Sequence, residues 1–219
     1  MGSFSCKEKK RAGSEFFTSG PSAEIATDSL STESDFSIEL NIDPDPNRGT
    51  WQNPDLIIRK MGPLNDKIVA DIGSGTGYFT MPMARLATRV IAIDIEQRYL
   101  DYIEDYKLEL PVEEADRIET RLTVANEPNL HTDEVDVVLM VNVFYYLTNR
   151  PEYMKIVRDA LRKEGMLVLV DFKPGELPVG PAENKVPTSE VVSILGKAGF
   201  EKIAVDSTNL AYQYIVTAH

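Results

Sequence analysis

The stretch VADIGSGTGYFT, Val69–Thr80, decides how this chain folds. An apolar run of strand type, IVADI, carries the acid Asp71 near its end and gives way to glycines at 73, 75 and 77. A segment able to start a helix follows. Glycine tolerates positive φ and lets the backbone come close to a ligand where a Cβ would collide. Between a strand and a helix, such a loop turns unpaired backbone N–H groups and the positive end of a helix dipole outward. A glycine-rich loop alone is also what an ordinary strand–turn–helix connection looks like. The second acid, Asp94, ends the next apolar run, RVIAID (Arg89–Asp94), and makes the difference. An acid at the tip of the second strand is where an open α/β sheet hydrogen-bonds a ribose. The P-loop is excluded, because no Gly-Lys-Ser/Thr follows the glycines. A dinucleotide fingerprint needs G-x-G-x-x-G, whereas the spacing here is G-x-G-x-G.

Composition sets outer limits. A chain of 219 residues suffices for one α/β domain with a sizeable core and a tail. A net charge of −12 opposes a polyanionic substrate such as nucleic acid. The single cysteine, Cys6, excludes an internal disulfide framework and a cysteine-based zinc site. The two histidines, His131 and His219, are too few for a histidine-rich metal cluster, so no metal is expected. No run approaches the roughly 18 to 20 apolar residues that span a bilayer.

Residues Met1–Pro46 read as a mobile tail, rich in Ser, Thr, Glu, Asp, Gly and Pro, and residues 47–219 as the folded domain. The start, MGSFSCKEKKR, nearly fits an N-myristoylation signal but has Cys6 where Ser or Thr is required. It also resembles the end of a lipoprotein signal without the apolar stretch before the cysteine. A cytoplasmic protein is expected, the alternative being membrane tethering through a lipidated tail at Cys6.

From Asn47 onward strands and helices alternate. An amphipathic segment, Asp55–Met61, stops at Gly62-Pro63. Strand Lys67–Asp71, helix Tyr78–Ala87 and strand Arg89–Asp94 follow. Helix Glu96–Glu109 carries Tyr99, Leu100, Ile103 and Tyr106 on one face. After the breaker Pro111 come strand Ile118–Val124, a polar loop, and the buried-type run Val135–Val141. Helix Pro151–Leu161, strand Met166–Phe172, a long Pro- and Gly-rich loop Lys173–Pro187 and helix Thr188–Ala198 complete the alternation. Two β-type runs, Phe200–Asp206 and Tyr212–Thr217, close the chain. Five strands separated by helices imply parallel pairing, and the last two, joined by a turn, antiparallel pairing.

The pattern D-x-G-x-G-x-G (Asp71 to Gly77) with Asp94 downstream resembles the class I S-adenosylmethionine-dependent methyltransferases. The resemblance implies a doubly wound, mostly parallel seven-stranded sheet ending in an antiparallel hairpin, with S-adenosylmethionine as cofactor. It places the cofactor against Asp71, Gly73, Ser74, Gly75, Gly77, Tyr78, Asp94, Ile95, Asn126, Glu127 and Asn142. Asp94 would take the ribose hydroxyls, and Asn126, in place of a more usual acid, the adenine amine. The blocks WQNPD, EPNL, DFKPGELPVGP and YQY (Tyr212–Tyr214) further resemble a bacterial group assigned as small-molecule methyltransferases.

Catalytic candidates lie at strand ends: Asn142, Tyr145, Tyr146 and Asp171. The segment NVFY (Asn142–Tyr145) lacks both prolines of the (Asn/Asp)-Pro-Pro-(Tyr/Phe) box of amino-group methyltransferases, so that assignment fails. In the bacterial group the place of Asn142 is commonly Asp, followed by a histidine pair, where this chain has Tyr145 and Tyr146. Tyrosine could act as a base only with a strongly lowered pKa. The expected function is methyl transfer to a small-molecule acceptor. The alternative is a cofactor-binding module that has lost transfer.

Overall fold

The computed structural model describes residues 47–219; the expected tail and its Cys6 anchor lie outside the described residues. Helix α1 (Arg48–Gln52) leads into α2 (Pro54–Lys60). The two are joined by Asn53, whose left-handed backbone (φ 48°) ends α1 while its side chain accepts from Leu56 N at 3.2 Å to cap α2. Strand β1 (Ile68–Ile72), α3 (Thr80–Ala84), β2 (Arg89–Asp94), α4 (Gln97–Lys107), α5 (Val112–Ala115) and β3 (Ile118–Leu122) follow. Then come β4 (Val135–Val141), a 3-10 turn (Phe144–Tyr146), α6 (Arg150–Ala160), β5 (Leu161–Phe172), α7 (Thr188–Lys197), β6 (Ala204–Asp206) and β7 (Gln213–Ala218).

The strands form one seven-stranded sheet in the order β3-β2-β1-β4-β5-β7-β6. Strands β1 to β5 pair in parallel, and β7 runs antiparallel between β5 and β6. This is the expected mixed sheet with its antiparallel end. Strands β1, β2 and β4 are buried along almost their whole length, which suits continuous apolar runs rather than alternation. Helices cover both faces. Ile57, Ile58, Met83, Leu100 and Ile103 form the core on one side; Tyr153, Met154, Val157, Val191 and Leu195 form it on the other. Full burial of residues such as Leu100 and Ile103 stabilises by about 1.5–3 kcal/mol each.

Several boundaries differ from the sequence reading, each for a local reason. Strand β5 starts at Leu161 rather than Met166, with no loop after α6. The register with β4 jumps from Val135–Leu161 to Val137–Met166, and Glu164 in that interval has φ 64°, so an irregularity hides the strand's beginning. Strand β6 is shorter than the run Phe200–Asp206, because Lys202 takes φ 46° and breaks it. Helix α3 begins at Thr80 rather than Tyr78, since residues 75–79 are still turning. The short helices α1 and α5 have too few residues to show a period.

Gly73, at the end of β1, has φ +72°, and a Cβ there would lie 2.2 Å from Val143 Cγ2. Gly73→Ala should therefore destabilise the fold by about 1–3 kcal/mol through strain and clash together. Gly62→Ala, at the same φ but with nothing within 4 Å, serves as the strain-only control. Urea denaturation of both should give the larger loss at Gly73.

Candidate functional site

The glycine loop is shaped by the neighbouring strand. Gly73 N and Ser74 N both donate to the Ile93 carbonyl, at 2.8 and 3.1 Å, and Gly75 N donates to Asp94 Oδ2 at 2.8 Å. Asp94 Oδ1 accepts from Glu96 N at 3.0 Å. With 8 % of its surface exposed, Asp94 is not the loose surface acid that a strand-tip position suggests. Each of its oxygens still keeps a lone pair for a ligand hydroxyl.

Asp71 sits behind the loop, buried, and accepts from Thr80 Oγ1 at 2.6 Å. Burial pushes its pKa up to about 6; the Thr80 hydrogen bond opposes this and the Asp94 charge adds to it. It ties β1 to α3 and does not reach the open space beyond the loop.

That space is a cavity of about 680 Å³ at the carboxyl ends of β1, β2 and β4. Of the expected cofactor residues, it brings together Gly73, Gly75, Asp94, Ile95, Asn126, Glu127 and Asn142. Asp71, Ser74, Gly77 and Tyr78 are not in its wall. Ser74 is buried, Gly77 packs against Met81 and Ile103, and the Tyr78 ring lies 4.2 Å from the Arg48 guanidinium carbon. At Gly75, φ is +51° and an added Cβ would meet nothing within 4 Å, so the space its missing side chain leaves is cavity. Ile95 and Val124 are 57 % and 61 % exposed and both face it. Arg48, Thr76 and Tyr99 also line it and were not expected; Thr76 is a variable position of the glycine motif, and no motif marks Arg48 or Tyr99.

Asn126 is placed differently from expectation. Its Oδ1 accepts from Thr148 N (3.0 Å), Thr148 Oγ1 (3.2 Å) and Asn149 N (3.3 Å), so its carbonyl holds the loop after the 3-10 turn. An acceptor so fully engaged is not free for an adenine amine.

A second cavity, of about 560 Å³, lies beside the first. Trp51, Phe172 and residues 178–181 of the long loop form its outer wall, while Asn142, Tyr145 and Tyr146 belong to both cavities. Trp51 packs on Phe172 and Tyr212 at ring distances of 6.0 and 6.2 Å. Gly180 lies so close to the Phe172 ring that a Cβ would come within 2.6 Å of it. Among the described residues no carboxylate, imidazole, ammonium or guanidinium group lines this second cavity.

Two catalytic expectations are corrected here. Asp171 lines neither cavity: its Oδ1 accepts from Phe172 N at 2.8 Å and its Oδ2 from Tyr145 N at 3.2 Å, beneath the 3-10 turn. Burial pushes its pKa up to about 7, against the pull of those backbone groups. Tyr145 moves the wrong way for a base: burial first, then Tyr146 and Asp171, drive its phenol well above the ordinary value. Tyr146 is 72 % exposed at the mouth, its ring 4.1 Å from that of Tyr145. His131 is exposed and in neither wall. Among the described residues no group of His, Cys, Asp and Glu could hold a metal, and no helix is long and apolar enough to cross a membrane.

Residues 70–169, which hold the loop, Asp94 and Asn142, match the family described as "Methyltransferase domain". The match spans 100 of the chain's 219 residues and agrees with the resemblance to class I S-adenosylmethionine-dependent methyltransferases that Asp71–Gly77 and Asp94 carry. It is 31% identical over 107 residues to the ribosomal RNA small subunit methyltransferase A of Anoxybacillus flavithermus, covering 47% of this chain and 35% of that one. It is 28% identical over 134 residues to the ubiquinone biosynthesis O-methyltransferase of Roseobacter denitrificans, covering 61% and 48%. The chain thus spans less than half the length of these two curated relatives. The crystal structure of a SAM dependent methyltransferase from Aquifex aeolicus superposes with a TM-score of 0.72 at 22% identity, covering 83% of this chain and 96% of that one; this likeness is one of fold.

The raised carboxyl of Asp171 has a consequence for stability. The folded chain keeps a proton up to about pH 7 that the unfolded chain releases near 3.8, so this group's contribution falls as pH rises through that window and is constant above it. Asp71 adds a similar fall ending at about 6. Denaturation midpoints followed across the window should show a less negative slope in Asp171→Asn than in the wild type.

Proposed function

We propose that the chain binds S-adenosylmethionine in the first cavity and methylates a small-molecule acceptor in the second. The observation that carries this reading is Asn142, a wall residue of both cavities, with the glycine loop on one side and the aromatic recess on the other. Bound S-adenosylmethionine supplies a methyl group on a sulfonium, whose leaving group needs no proton. The rest falls to the chain. Gly75 admits the ligand backbone-close, and Asp94 has a free lone pair on each oxygen for the ribose hydroxyls. The exposed pair Ile95 and Val124 offers apolar faces to a planar base, and Glu127 takes the amine role that Asn126 cannot. Residues 178–181 form the outer wall of the acceptor recess.

A small acceptor fits better than the ribosomal RNA named for the Anoxybacillus relative. The net charge of −12 repels phosphates, and among the described residues the recess presents no cation to receive one. Among the described residues the recess wall offers only the phenols of Tyr145 and Tyr146 as titratable groups, which supports a second reading, cofactor binding without turnover.

Calorimetric titration with S-adenosylmethionine and S-adenosylhomocysteine tests the first step; no heat of binding with either at millimolar concentration would sink it. Gly75→Val should abolish binding in a chain that still folds, at a stability cost of about 1–2 kcal/mol for the left-handed backbone. Asp94→Asn should weaken the cofactor by about 1.5–3 kcal/mol, the scale of hydrogen bonds to a charged group. Mass-spectrometric screening for methylated products then separates transfer from binding alone.

A further inference from the structure

A line of hydrogen bonds runs from the rim of the first cavity through the core to the junction of the two. Arg48 Nε donates to Gln52 Oε1 at 2.8 Å, Gln52 Nε2 to Gln213 Oε1 at 3.2 Å, and Gln213 Nε2 to Asn142 Oδ1 at 2.6 Å. Both glutamines are fully buried. A carboxamide has nearly the same shape when flipped, so its donor and acceptor ends are set only by its partners. Here the first partner leaves no choice. A guanidinium has no acceptor, so Gln52 must turn its oxygen toward Arg48 and its NH₂ toward Gln213. Gln213 is thereby fixed in turn, and Asn142 after it. Asn142 commits its oxygen to the core, and its Nδ2 is the part of the amide left for the cavities it lines.

We propose that the acceptor is a carboxylate on an aromatic or other apolar body, held by Asn142 Nδ2 with its body against Trp51 and Phe172. The assignment rests on the two-cavity reading above. The junction offers a donor, so the group it receives must accept. An alkyl amine at neutral pH arrives protonated, with no lone pair for transfer, and among the described residues the recess wall holds no carboxylate or imidazole to take its proton. A carboxylic acid, with a pKa near 4, arrives already ionised. The aromatic recess also favours this pairing, because a cationic donor and an anionic acceptor give two neutral products, and loss of opposite charges is easiest where water is scarce. In the transfer, one carboxylate oxygen supplies the electron pair for the new O–C bond, and the C–S bond breaks with its pair left on sulfur. No proton is exchanged. Arg48, Gln52 and Gln213 act as positioning residues; Asn142 touches the acceptor.

Trp51, the chain's single tryptophan, stands in the recess wall and reports its occupancy by fluorescence. The first cavity is filled with sinefungin, which carries a positive charge near the sulfonium position and cannot react, and its binding is followed by calorimetry. Phenylacetate, phenylacetamide and phenethylamine are then titrated. Phenylacetate should bind at least about tenfold more tightly than phenethylamine, the lower end for a charge-assisted hydrogen bond. Asn142→Asp, which keeps the shape but replaces the donor by an acceptor, should reverse that order. Gln213→Met, which releases the amide of Asn142 to turn, should shrink the preference while sinefungin still binds. It carries the same test if Asn142→Asp does not fold. Failure of sinefungin to bind the wild type overturns the two-cavity reading itself. Sinefungin binding with an equal or stronger response to phenethylamine, or with no response to any of the three probes, overturns the carboxylate assignment alone.

Discussion

Three consecutive backbone N–H groups, those of Gly73, Ser74 and Gly75, are spent on the end of one neighbouring strand, at Ile93 O and Asp94 Oδ2. The site depends on this contact. It requires β1 and β2 to lie side by side in register to the end of β1, Ile72 opposite Ile93. Given that register, the loop cannot continue as strand, and the positive φ values at its glycines follow from having to turn back over the sheet. Asp94 therefore has two tasks. It fixes the loop through the lone pairs it shares with Gly75 and Glu96, and it offers the remaining ones to the cavity. Replacing it disturbs the loop's shape as well as any ligand contact.

The second organising element is the amide line from Arg48 to Asn142. It joins α1 to β7 across 161 positions of sequence and ends at the loop after β4. Burying neutral amides, each with its partner, avoids the desolvation penalty that buried charges would bring. The single charged member, Arg48, is at the partly exposed end. Orientation is thus carried inward from the surface through neutral groups, and α1, too short to be stable alone, becomes part of the site.

The glycine loop, Asp94 and the run Val135–Val141 were legible in the sequence because each is decided by its own neighbours: spacing, sign and continuous apolarity. The antiparallel end of the sheet was legible for a similar reason, as too few residues separate the last two runs for a crossover. The start of β5 was not, because its irregularity near Glu164 is imposed by pairing with β4. Asn126 and Asp171 were identified as strand-end polar residues and placed at a ligand. What decides their use is a partner elsewhere in the chain, Thr148 and Asn149 for one and Tyr145 N for the other. Gln52 and Gln213 fall in the WQNPD and YQY blocks that carry the resemblance, but their use was not legible, because it is set by a partner 161 positions away.

The distribution of ionisable groups makes one further point about chemistry. The two carboxyls that burial holds near neutrality, Asp71 and Asp171, both face backbone or hydroxyl donors and neither enters a cavity wall. A titrating acid behind the wall costs stability in its charged form but cannot reach an acceptor's proton. A site that depended on general-base catalysis would place such a group within about 3 Å of the reacting atom. Methyl transfer from a sulfonium has no such requirement when the nucleophile is already unprotonated, because both the leaving group and the product are stable without proton movement. Under the proposed reading what remains for the protein is to align two molecules, and holding reactants in line is itself worth about 7–11 kcal/mol at best. An aromatic recess with one oriented amide at its entrance, walled by residues 178–181, suits the proposed alignment.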